Sequence, residues 1–163
     1  MKRVFCLILA FSLLLSGCSF FGERIKAPVT FYYLCDKYQE ELCCVIASEE
    51  REASGHVGDL PYLLALYLMG PTSDELLSPL RAGTRISSVL EDDHIYLELS
   101  GIADSMSDID FSLACACLTL TCLDITDAKE VTIRSGDRTK TLSHELLTLY
   151  DTTGETIAME ESQ

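Results

Sequence analysis

Cysteine and histidine carry the reactive chemistry of this sequence, with eight of the first and three of the second. Six cysteines follow the N-terminal region: Cys35, Cys43, Cys44, Cys115, Cys117 and Cys122. A zinc site would call for paired C-x-x-C ligands, and these spacings match neither a zinc finger nor a ribbon. Cys115 and Cys122 are seven residues apart and share one helix face, with Cys117 pointing elsewhere. Cys43 and Cys44 are adjacent and face opposite sides of a strand. The reading these positions favour is that of small buried hydrophobes. A disulfide between Cys35 and Cys43 or Cys44 is the alternative, and a metal site the third. His56 falls in a polar loop, His94 at a hairpin turn and His144 beside Glu145, and no nucleophile elbow accompanies them. Glu91-Asp92-Asp93 lacks the spaced ligands of a calcium loop. No phosphate-cradling glycine loop occurs. The residues therefore point to no catalytic set, no metal and no cofactor.

Cys18 is different. Met1-Lys2-Arg3 is a short cationic start, and Val4 to Leu15 is an apolar run too short to cross a bilayer as a permanent helix. Leu15-Ser16-Gly17-Cys18 then resembles a bacterial lipobox. In such a motif the thiol accepts a diacylglycerol, small residues before it admit the peptidase, and the cysteine becomes the new N-terminus. The expected organisation is a lipoprotein signal peptide over 1–17 and a lipid-anchored tether over 18–27. Two or three acyl chains, palmitate among them, hold a protein stably where one does not. The expected location is the outer face of the cytoplasmic membrane.

Charge excludes other partners. Twelve Lys and Arg stand against 26 Asp and Glu, a net charge of -14. Loss of Lys2 and Arg3 with the signal would take this to -16. Counterion-release binding to nucleic acid needs a basic footprint that is missing, as does adhesion to anionic lipid. The expected protein partner presents a basic face, and the isolated chain is expected to stay monomeric at low salt because identical acidic surfaces repel.

The elements that must position these groups follow from periodicity. Val29 to Leu34 reads as a strand and Leu42 to Ser48 as a second. Asp59 caps a helix with Pro61 in its first turn, and Leu60, Leu63, Leu64, Tyr67 and Leu68 form its stripe. Gly70-Pro71 ends it, and 72–84 is a loop. Arg85 to Glu91 and His94 to Leu99 form a hairpin turning at Asp92-Asp93. A second helix spans Asp110 to Leu123, with Phe111, Ala114, Cys115, Leu118 and Cys122 inward. Val131 to Arg134 and Thr139 to Leu142 flank a turn. The fold class is α+β, two helices packed on a mostly antiparallel sheet. The domain covers 28–150, and 151–163 is an acidic flexible tail.

Leu66-Tyr67-Leu68-Met69-Gly70-Pro71-Thr72, Leu77-Ser78-Pro79-Leu80 and Ala82-Gly83-Thr84-Arg85-Ile86 together resemble the signature of the GerM domain family. Ile95 to Ser100, Leu113 to Thr121 and Val131-Thr132-Ile133 are similar to its later elements. Arg81 stands where that family has a second proline, and no glycine follows Asp93. The resemblance spans 29–141. It implies a fold similar to ring-building modules of sporulation channels and a role without catalysis, through contacts with other envelope or sporulation proteins. It also implies that Gly70, Pro71, Thr72, Ser78, Pro79, Gly83 and Thr84 shape loops. The expected function is a non-catalytic lipoprotein of sporulation, spore germination or cell-envelope assembly. An envelope hydrolase or a ligand-binding lipoprotein is the alternative, distinguished by a concave site with converging polar groups.

Overall fold

The computed structural model describes residues 28–36, 45–53, 55–100 and 103–147. Cys18, the signal and tether, Cys43, Cys44 and the acidic tail lie outside the described residues. Seven strands and two helices follow in order: β1 Pro28–Cys35, β2 Ile46–Glu52, α1 Leu60–Leu68, β3 Leu76–Leu77, β4 Ile86–Glu91, β5 His94–Leu99, α2 Asp108–Ile125, β6 Glu130–Ser135 and β7 Arg138–Ser143. The α+β class holds, with the strands divided between two sheets. One runs β2-β1-β3 and the other β4-β5-β6-β7. Every pairing is antiparallel except β5 with β6, which are parallel and joined through α2.

Local chemistry accounts for the helix ends. Asp59 accepts from the Tyr62 amide at 3.2 Å, and Pro61 occupies the first turn of α1, where an amide proton has no helical partner. Gly70 leaves the helix at φ 85, a conformation that side-chain-bearing residues resist. Ser107 starts α2, its hydroxyl accepting from the Asp110 amide and donating to the Asp110 carboxylate, while Asp108 and Asp110 complement the helix dipole. Thr126 ends it with a 2.7 Å bond to the Cys122 carbonyl.

Helix α2 packs on β1 of one sheet and on β6 and β7 of the other. It is consequently buried nearly all round over 114–123, and Cys117, expected off the Cys115–Cys122 face, is as buried as both. Tyr32 makes the closest tie. Its amide, on the edge of β1 turned away from β2, donates to Thr121 Oγ1 at 3.0 Å. Its carbonyl accepts from the Tyr67 hydroxyl at 3.0 Å. Side chains thus satisfy backbone groups that a neighbouring strand would otherwise meet. Phe31 and Tyr33 on β1 meet Tyr67 of α1, Tyr33 stacked at 4.8 Å and Phe31 edge-on at 5.8 Å.

The second strand runs four residues past Ser48 to Glu52, with alternate side chains turned inward. A third strand too short to show in a hydrophobic pattern, Leu76–Leu77, pairs with Leu34 and Cys35 inside the 72–84 loop. The Asp92-Asp93 turn forms as expected, with Asp92 taking φ 55 in place of a glycine.

The thiols make the core pH-sensitive. Burial pushes Cys115, Cys117 and Cys122 up to about 12 from an ordinary 9.0. The native state keeps these protons while the unfolded chain releases them above about pH 9. Stability is therefore intact below pH 9 and falls between pH 9 and 12, by at most about 1.4 kcal/mol per pH unit for each thiol. Urea unfolding across that range checks the slope, and Cys122→Ala should flatten it while lowering stability at every pH. Labelling of these three thiols in the native protein should proceed only through unfolding.

Candidate functional site

The loop after α1 is held by a buried ion pair on β2. Glu49 and Arg51 sit two apart, so both side chains face inward on the same side as Phe31 and Tyr33. Arg51 Nε meets Glu49 Oε1 at 2.6 Å, both side chains one-tenth exposed. Its other nitrogens donate to the Leu66 carbonyl at 3.2 Å and to the Gly70 carbonyl. The guanidinium also lies 5.4 Å from the Phe31 ring centre and 5.7 Å from that of Tyr33. A cation at the C-terminus of α1 opposes the negative end of its dipole. Glu49 completes the clamp by accepting the amides of Thr72 at 2.8 Å and Ser73 at 2.9 Å. Burial raises the Glu49 pKa, but the hydrogen bonds from Arg51, Ser73 and Thr72 outweigh it and hold the carboxyl below its ordinary value.

The expected loop residues therefore fall into two groups. Gly70, Pro71 and Thr72 belong to the Arg51–Glu49 clamp. Ser78, Pro79, Gly83 and Thr84 shape the descent into β4. The Ser78 hydroxyl donates to the Leu80 carbonyl at 3.0 Å, closing a turn around Pro79. Gly83 takes φ 86. Thr84 is buried, and its hydroxyl has no partner among the described residues. Arg81 donates to Ser105 at 2.9 Å and ties this loop to the segment before α2. A second buried-face arginine does the same from the other side. Arg138 on β7 donates to the carbonyls of Met106 and Ala103 at 3.0 and 2.6 Å and lies 4.3 Å over Phe111. Neither Arg51 nor Arg138 carries a sequence signal beyond strand alternation, and both emerge only with the fold.

Among the described residues, two exposed surfaces stand out. On α1 the outward positions are Pro61, Tyr62, Ala65 and Met69, with Leu66 and Leu68 half-buried, and no side chain of the helix is charged. Met69 is 80% exposed and Tyr62 42%. His56 stacks on Tyr62 at 3.8 Å, at the N-terminal end of this stripe. The other surface is the outer face of the four-stranded sheet. There His94 Nε2 lies 2.8 Å from Thr132 Oγ1, and its Nδ1 3.5 Å from Glu130 Oε2. A hydroxyl, an imidazole and a carboxylate in that order have the makings of an acyl-transfer relay. The surroundings oppose it. Thr132 Oγ1 is also 2.7 Å from Thr141 Oγ1, and the strand amides around it run in the plane of the sheet, so none converges where an oxyanion would form. Among the described residues no group of three His, Cys, Asp or Glu side chains could hold a metal ion, and no helix is long and apolar enough to cross a membrane.

Removing the cation from the clamp should be costly. Arg51→Ala leaves Glu49 inside without its counter-charge and frees two carbonyls, an expected loss of about 3–5 kcal/mol. Arg51→Lys keeps the charge but not the fork and should fall between. Urea unfolding measures both losses, and faster amide exchange at Thr72 and Ser73 would locate them at the clamp. With its folded pKa depressed, Glu49 contributes stability above the ordinary carboxylate range near pH 4.3, and that contribution is lost as pH falls through the folded value.

No family model and no curated relative matches this sequence. Solved structures do. The tandem GerMN domains of the sporulation protein GerM from Bacillus subtilis superpose with a TM-score of 0.50 at 17% identity, over 80% of this chain and 43% of that one. The first GerMN domain of the same protein gives a TM-score of 0.48 at 13% identity, over 69% of this chain and 84% of that one. The chain thus spans less than half the length of the tandem structure. At these identities the likeness concerns the backbone alone. The fold of this chain is GerM-like.

Proposed function

We propose that this chain is a non-catalytic lipoprotein, anchored through Cys18 to the outer face of the cytoplasmic membrane, whose GerM-like domain docks onto other proteins of the envelope in sporulation, germination or cell-envelope assembly. The observation that carries this reading is the outward stripe of α1. A chain with a net charge of -14 would ordinarily cover a surface helix with charge, yet every residue from Leu60 to Met69 is uncharged. Exposed apolar area of this kind is characteristic of interaction surfaces. Asp59 at one end and Asp74 and Glu75 beyond the other supply acidic flanks, so the fitting partner brings an apolar strip with basic residues beside it. The sheet face offers a hydrolase a hydroxyl and an imidazole but no backbone amides directed out of the sheet, which favours docking over catalysis.

Two measurements test the two halves of this reading. Cys18→Ala should abolish lipid attachment and leave an uncleaved or miscleaved precursor; normal processing with detergent partitioning intact would overturn the anchor. Ala65→Arg places a like charge before a basic partner at an exposed position. Crosslinking in native membranes should then lose the partner band by about tenfold, a change of about 1.4 kcal/mol, while the melting temperature stays put. Glu98→Gln, on the sheet face, should leave that band intact. Equal capture by Ala65→Arg and the native chain would remove α1 from the interface.

A further inference from the structure

We propose that the outer face of the four-stranded sheet carries a binding cleft for a neutral sugar chain, with Tyr96 as its platform and the Glu98–Arg134 pair as its polar rail. The face is built of cross-strand rows. Val89, Tyr96 and Thr132 are directly opposite one another on β4, β5 and β6, and Ser87, Glu98, Arg134 and Thr139 form the next row across β4 to β7. Between the rows lies a half-open cavity of about 300 Å³, lined by these residues, at the small end of the range for organic ligands.

Its chemistry is selective. Tyr96 is 42% exposed, and His94 stacks on its ring at 4.3 Å and 4°. The imidazole does not line the cavity, whereas Glu98, the next residue of β5 on the same face, does. His94 is itself fixed by Thr132 at 2.8 Å, so the platform is braced before any ligand arrives. An aromatic face of this kind packs against the apolar C–H side of a pyranose ring. The adjoining row supplies what the hydroxyls around that ring require. Arg134 directs Nε and Nη2 to a single oxygen of Glu98, at 2.8 and 2.6 Å, which leaves Glu98 Oε1 as an acceptor and Arg134 Nη1 as a donor with no other partner among the described residues. The Ser87 and Thr139 hydroxyls line the same cavity and both donate and accept. The pair is neutral as a unit, and the chain around it is strongly acidic, so the cleft selects against anions. It is half-open, which admits a polymer lying across the strands.

The test uses the full chain in a detergent without sugar headgroups, titrated calorimetrically with a β-1,4-linked N-acetylglucosamine hexaose and with a β-1,4-linked glucose hexaose. Saturable binding of at least one is expected, weakened by about tenfold or more in Tyr96→Ala and in Arg134→Ala, and retained in Tyr96→Phe. Since these side chains are exposed, circular dichroism of each variant should match that of the native chain. Ala65→Arg should bind the hexaose normally, so loss of protein docking at α1 and loss of sugar binding at the sheet are read separately. Absence of saturable heat at millimolar hexaose, or equal affinity in Tyr96→Ala, overturns the proposal. So does displacement of the hexaose by a polyanion of unrelated backbone.

Discussion

One guanidinium holds the first half of the fold together. Arg51 comes from an edge strand, yet it reaches the Leu66 carbonyl in the last turn of α1, the loop glycine beyond it and two aromatic rings of β1. Besides the packing of Tyr67 on Phe31 and Tyr33, the strand, the helix and the loop are drawn together by the planar donors of a single side chain. The arrangement needs its counter-charge. Glu49 keeps the buried cation neutralised and, through Thr72 and Ser73, fixes the chain as it leaves the helix. A lysine could supply the charge but not the simultaneous reach in three directions.

The second half is organised around a helix with almost no solvent face. A helix enclosed on several sides must bury residues smaller than leucine where strands approach closely, and α2 does so with Ala114, three cysteines and two threonines. Threonine and cysteine are apolar enough to enter the core, and Thr121 supplies a hydroxyl where β1 needs one. The cysteines therefore belong to packing. Their raised pKa values express the same fact electrostatically: burial removes water from all three thiols, and at Cys115 the nearby Lys140 and Arg138 offset it only in part.

Legibility in the sequence followed the range of the forces involved. The cap at Asp59, the stop at Gly70, the Asp92-Asp93 turn and both flanking strands are set within a few residues, and local reading recovered them. The apolar run Leu42 to Ser48 marks a second strand but not its end, since the chain stays extended through the charged stretch Glu49-Glu50-Arg51-Glu52. That segment becomes a strand because β1 offers it a ladder and the clamp accepts its charges. The same reason hid Arg51 and Arg138 as structural centres. An arginine gains a buried role only from carbonyls that the fold brings to it, 15 to 35 residues away in the chain. The sheet-face rows were equally invisible, because Tyr96 and Arg134 become neighbours only once the register of β5 and β6 is known. The GerM resemblance, by contrast, rested on loop residues whose geometry is local, and the backbone agrees with it.

The contact between Tyr32 and Thr121 joins residues 89 apart, and that separation constrains how the molecule comes into being. A hairpin of β1 and β2 made first, as the chain grows, has one edge with an amide and a carbonyl still facing water. Residues 53 to 125 must follow before the helix that closes this edge is complete. During that interval the nascent sheet can accept any extended segment, including the same strand of a neighbouring chain. The charges on β2, three glutamates within seven residues, repel such a neighbour on one side. On the other, completion waits for α2, and slow, late-closing assembly is the natural kinetics of so non-local a topology.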